Sequence, residues 1–71
     1  MKTLADLSLG ESAIIRGFSN TDIAQKLIEM QCIPGETVQM VKKAPFGDPM
    51  IINVSNYDLI IRKSEAQLIL I

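Results

Sequence analysis

The segment FGDPMIINVSNYDLIIRK, residues 46–63, decides how this chain folds. Two apolar runs, 50–54 and 57–63, flank the polar pair Ser55-Asn56, and runs parted by two such residues predict a β-hairpin. Asn56 suits a left-handed turn position. Gly47 can take a positive φ, and Pro49 stands at the mouth of the first strand, where its missing N–H does little harm. Met50, Ile52 and Val54 share one face of the hairpin, as do Tyr57, Leu59 and Ile61, while Ile51 and Ile60 fall on the opposite face.

Working outward, residues 44–49 form a loop that carries Phe46. An aromatic on a Pro/Gly loop either folds back over the core as a lid or stands out as a contact residue; the lid is the favoured reading. Upstream, Val38 and Met40 alternate with Thr37, Gln39 and Val41, which predicts a strand over 37–43. Pro34 and Gly35 fit the two central positions of a type II turn, the second of which needs a positive φ. A helix is expected over 21–31, with Ile23, Leu27 and Met30 on one stripe, Asn20 or Thr21 as its cap and Asp22 at its positive dipole end. Lys26, placed between Asp22 and Glu29, reads as part of a surface ladder worth about 0.3 kcal/mol per pair.

Residues 13–18 read as the first strand, with Ala13, Ile15 and Gly17 on one face and Ile14, Arg16 and Phe18 on the other. Leu4, Leu7 and Leu9 are expected to tuck against the body in a short turn. Downstream, 63–66 suits one helical turn, and 68–71 a last apolar strand that must pair to hide its side chains. About five short strands and one helix are too little for a two-layer sandwich, whereas closure into a small barrel removes open edges. The expected fold is therefore mainly β: a small β-barrel of about five strands with one inserted α-helix, forming a single domain over residues 1–71.

Composition narrows the function classes. A 71-residue chain that is 48% hydrophobic can build one core, with an expected stability of about 5 kcal/mol. The formal net charge of −1 argues against nucleic-acid binding, which needs a phosphate-neutralising surplus. Lys42-Lys43 and Arg62-Lys63 could form a small basic patch, though ordinary solvated strand surface explains them as well. Cys32 is the single cysteine, expected half-buried as a structural thiol, and no intrachain disulfide can form, which fits a reducing compartment. No apolar run of about 20 residues could span a membrane, and residues 1–10 do not read as a signal peptide. A cytoplasmic protein is expected.

Catalytic chemistry finds little support. Histidine is absent, and so are paired cysteines, a phosphate-binding glycine loop and a serine triad. Asp48 and Asp58 flank the hairpin region, and Glu29 and Cys32 lie three apart at a helix end, but neither spacing specifies a site. No catalytic residue, cofactor site or metal site is assigned. What remains is a second apolar set, Ile14, Val41, Ile51, Ile60, Leu68 and Leu70: those left exposed would favour a binding module or a homo-oligomer, while a helix-covered barrel that needs apolar residues on both faces explains them as well.

The whole chain resembles the ferrous iron transport protein A family. The matching segments are Leu4-x-x-Leu7 with Gly10-Glu11, Ile15-x-Gly17-Phe18, Lys26-Leu27-x-Glu29-Met30, Ile33-Pro34-Gly35-x-x-Val38, Gly47-Asp48-Pro49 with Ile52-x-Val54, and Tyr57-x-Leu59-x-Ile61-Arg62-x-x-Glu65-Ala66-x-x-Ile69. The resemblance implies an SH3-like barrel with a helical insertion, no enzymatic activity and a role in ferrous iron uptake. The implied partner is the large membrane protein B of the same system, a GTPase-permease, which would hold the chain at the inner membrane. The alternative is a metal-responsive regulatory or peptide-binding adaptor, since a similar domain occurs in iron-dependent repressors. Two positions depart from the family pattern: Gln31 stands where a glycine usually follows the helix, and Asn56 where the hairpin turn often has glycine. Gln31 must avoid the left-handed conformation or accept a cost of about 1 kcal/mol. Alternation and loop position nominate Phe46, Met50, Arg62 and Lys63 as the partner-binding residues.

Overall fold

The computed structural model describes residues 2–71. The elements in order are β1 (Ser12–Ile14), β2 (Gly17–Phe18), α1 (Thr21–Glu29), β3 (Thr37–Lys43), β4 (Met50–Val54), β5 (Tyr57–Ile61), α2 (Lys63–Ala66) and β6 (Ile69–Leu70), preceded by a 3-10 turn at Leu4–Asp6. The fold is mainly β with one longer helix inserted between β2 and β3. Its strands form two antiparallel sheets, one ordered β1-β3-β4-β5 and the other β2-β6. The expected first strand is divided: Ile15 and Arg16 carry the chain from one sheet to the other. The Ile15 N–H donates to the Glu36 carbonyl at 3.0 Å, and the Arg16 N–H to the Leu70 carbonyl at 2.8 Å. Among the described residues that break gives six strands where about five were expected.

The hairpin at 50–61 has the predicted register. Val54 pairs with Tyr57 across Ser55 and Asn56, both of which have positive φ (52° and 66°), the signature of a type I′ turn. Alternation puts Met50, Ile52 and Val54 into the core, each 2% exposed or less, against Val38 and Met40 of β3. β3 carries a bulge between Met40 and Lys42, so Val41 stands exposed on the outer face with Thr37 and Gln39, and Lys42, which strict alternation would turn inward, is exposed as well. Ile15, Leu27, Ile61, Ala66 and Ile69 close the core from the remaining elements, with Leu4 and Leu7 from the N-terminal turn. Leu9, expected to tuck in with them, lies beyond that turn and is exposed. Tyr57, expected on the core face, is exposed as well, because it sits at the turn end of β5 beyond the cover of the other elements.

Helix α1 is two residues shorter than expected. Asn20 caps its start, accepting the Asp22 N–H at 2.8 Å. At its end, Gln31 donates its N–H to the Ile28 carbonyl and Cys32 to the Leu27 carbonyl, at 3.0 and 2.9 Å. These two bonds make a Schellman motif, with Gln31 left-handed at φ 76°. The chain therefore accepts the left-handed cost at Gln31. Gln31→Gly is expected to raise the unfolding free energy by about 1 kcal/mol, read as a higher urea midpoint at unchanged slope.

Cys32 follows at the motif's last position and is fully buried, not half-buried. Burial, with the Glu65 carboxylate nearby, pushes its thiol up to about 11, so it stays protonated and unreactive at neutral pH. Glu65 also holds Lys26, at 2.8 Å from Nζ to Oε2, in place of the expected ladder with Asp22 and Glu29. The Lys26 bond, aided by the Arg62 backbone N–H, holds the Glu65 carboxyl below its usual range. This pair ties α2 to α1; at a surface with Lys26 mostly exposed it contributes about 0.5 kcal/mol.

Candidate docking surface

The loop joining β3 to β4 is built tightly. The Gly47 N–H donates to the Ala44 carbonyl at 2.7 Å, closing a turn with Pro45 and Phe46 at its centre. Pro45 pre-sets the first central position, and Gly47 supplies a positive φ of 81° at the exit. The Ala44 N–H then donates to the Pro49 carbonyl at 3.1 Å, shutting the base of the loop. Phe46 is held at the tip, pointing away from the body, with 95% of its surface exposed. The expected lid is not formed: the closed turn carries the ring outward. Phe46 is the most exposed large apolar side chain among the described residues.

The same loop is fastened to the end of β5. Asp48 accepts the Lys63 N–H at 2.8 Å, and the Asp48–Pro49 peptide between them and β4 is cis. This bond brings the Phe46 loop beside Arg62 and Lys63, both exposed, at the sheet end where Lys43, Met50 and Ile61 lie side by side on β3, β4 and β5. Three of the four nominated residues thus share one end of the molecule. Met50 does not join them at the surface, since its side chain is 2% exposed within the core. The strand alternation that grouped Met50 with Ile52 and Val54 already carried that answer.

The remaining candidates are separated by the fold. Asp58 accepts a hydrogen bond from Asn53 Nδ2 at 2.9 Å near the hairpin turn, whereas Asp48 sits at the opposite end of the hairpin. Glu29 is exposed and Cys32 fully buried, so they do not face one ion. Among the described residues no group of three or more His, Cys, Asp or Glu is placed to hold a metal ion. Phe18 is half-buried, and Phe46 and Tyr57 stand at opposite ends of the hairpin, so they do not line a common aromatic groove. Sequence reasoning missed the exposure of Tyr57, which no local signal distinguishes from a core tyrosine. Among the described residues no helix is long and apolar enough to cross a membrane.

Comparison with known proteins places this arrangement. The FeoA domain model matches residues 2–71. The solution structure of iron(II) transport protein A from Clostridium thermocellum is 34% identical, with a TM-score of 0.89 over 97% of this chain and 43% of that one. The present chain thus spans less than half the length of that relative. FeoA from Stenotrophomonas maltophilia, an SH3 domain protein complexed with zinc, is 32% identical, with a TM-score of 0.85 over 99% of this chain and 88% of that one. The IdeR protein of T. acidophilum shares the fold alone: 20% identity and a TM-score of 0.79, over 96% of this chain and 32% of that one. The match to the family model is end to end across the described residues, and it covers the core, the capped helix and the Phe46 loop alike: the chain belongs to the FeoA family of ferrous-iron transport accessory proteins.

Proposed function

We propose that this chain is a non-enzymatic accessory protein of ferrous iron uptake that docks on the cytoplasmic side of the membrane transporter, protein B of the same system, and supports or regulates transport. It would be cytoplasmic and peripheral at the inner membrane through that partner. The observation that carries this reading is Phe46, 95% exposed at the tip of a closed turn that Asp48 fastens to the backbone of Lys63, next to Arg62. An exposed aromatic on a fastened loop near an arginine has the composition of an energetic centre in a protein interface, because the ring buries a large area while fixing only two side-chain torsions. The two sheets are read as the walls of one SH3-like barrel, bridged where Ile15 and Arg16 pass between them, and residues 1–71 as one domain. The name given to the Clostridium thermocellum relative, an iron(II) transport protein, supports the assignment to iron uptake.

Titration of the purified transporter with this chain tests the placement. Phe46→Ala is expected to weaken binding by about tenfold and Arg62→Ala by a smaller factor, both with folding intact. Undiminished affinity in the double variant would contradict it.

A further inference from the structure

β5 lies at one edge of the four-stranded sheet and, among the described residues, pairs with β4 only. The hairpin turn fixes where its backbone groups point. In a two-residue turn the Val54 carbonyl accepts the Tyr57 N–H, so Tyr57, Leu59 and Ile61 direct their N–H and C=O groups toward β4. Asp58 and Ile60 direct theirs to the open side. Among the described residues no backbone hydrogen bond from another element reaches Asp58 or Ile60. Proteins commonly blunt such an edge with a lysine, a proline or a bulge. Here the central side chain is Ile60, 70% exposed.

Charge selects the occupant. Asp58 and Ile60 share one face of β5, Arg62 follows the strand with extended backbone two residues beyond Ile60, and all three are exposed. Asp58 takes a bond from the neutral Asn53, and Arg62 has no ion-pair partner among the described residues. A strand that reads acid, isoleucine, base is its own complement when a second copy runs antiparallel to it. We propose that β5 pairs with β5 of a second copy of this chain, about a two-fold axis near Leu59 and Ile60, joining the two sheets into one. Such an axis permits two registers, centred on Leu59 or on Ile60. In either, Asp58 lies opposite or diagonal to Arg62 of the partner subunit, within about 8 Å, and Ile60 lies opposite or diagonal to Ile60 of the partner subunit. Backbone bonds come from Asp58 and Ile60, since the Arg62 carbonyl already accepts the Glu65 and Ala66 N–H groups. The interface is short and the dimer correspondingly weak. It does not rest on the docking reading; because Arg62 belongs to both surfaces, its test reads oligomeric state alone.

Sedimentation velocity of the full chain over a wide concentration range tests the pairing, with circular dichroism to verify folding. The chain is expected to show a reversible monomer–dimer equilibrium. Asp58→Arg and Arg62→Asp should each weaken it by about tenfold, and the double exchange should restore it. Ile60→Lys should leave a folded monomer. A chain that stays monomeric throughout would overturn the proposal. So would a dimer indifferent to the charge reversals, or an edge that takes up a foreign extended peptide while the chain itself remains monomeric.

Discussion

Ile52→Ala should lower the unfolding free energy by about 3 kcal/mol, while Ile51→Ala, one residue away on the same strand, should cost about 1 kcal/mol. Ile52 is fully buried at the centre of β4, between Met40 on β3 and Leu59 on β5. Truncating it removes three methyl-sized groups from contact and leaves a cavity that two paired neighbouring strands cannot collapse to fill. Ile51 points to the other face of the sheet and is half-buried, so part of what it loses is already in water. Against an expected total of about 5 kcal/mol, the first loss should lower the melting temperature by about 15 °C. Equal effects at the two positions in urea denaturation would mean that the strand is not in the register described.

The second large effect is at Gly35. The Ile33–Glu36 turn is closed by the Glu36 N–H bonding the Ile33 carbonyl at 3.0 Å, with Gly35 at φ 97°. Pro34 occupies the position before it, as a type II turn prefers. The turn is also a clamp: the Gly35 N–H donates to the Ile15 carbonyl at 2.8 Å, and the Glu36 carbonyl accepts from the Ile15 N–H. Ile15 is the buried residue at which the chain passes from one sheet to the other, so the turn fixes that crossing. A Cβ at Gly35 would meet nothing within 4 Å, so any cost of substitution is conformational. Gly35→Val should destabilise by about 2–3 kcal/mol and Gly35→Ala by about 1–2 kcal/mol, with Gly35→Asn the mildest because asparagine tolerates positive φ. Thermal melts of the three variants would show that order. A valine as harmless as asparagine would contradict the turn geometry.

The features legible in the sequence are those set by neighbours along the chain. Ser55-Asn56 between two apolar runs specifies the hairpin, because a turn of two residues with positive φ leaves one way to pair the flanking strands. Pro34-Gly35 specifies its turn for the same reason. Asn20 and the Ile23, Leu27, Met30 stripe place the helix, though not its last turn, where Gln31 adopts a conformation that local preference disfavours. Contacts that join distant segments were not legible. Lys26 has acids four residues before it and three after it, yet pairs with Glu65, 39 positions away, because α2 packs where the fold brings it. Lys42 leaves the alternation of Val38 and Met40 through a bulge whose position no residue type marks.

The docking surface was half visible. Arg62 and Lys63 follow the end of a strand and read as exposed; Phe46 on its loop left two readings open, and the hydrogen bonds at Ala44 and Gly47 decide between them. The bond from Lys63 to Asp48, which unites the loop with the basic pair, spans 15 positions and has no signature in the sequence. Met50 was nominated for a surface it does not reach, against its own alternation with Ile52 and Val54.

Capture from anaerobically solubilised membranes of the source cells, using the immobilised chain and identifying retained proteins by mass spectrometry, tests the docking role most directly. Selective recovery of the ferrous iron transporter is expected, and its loss when the immobilised chain carries Phe46→Ala together with Arg62→Ala. Recovery of other proteins alone, with the transporter shown to be intact in the extract, would contradict it.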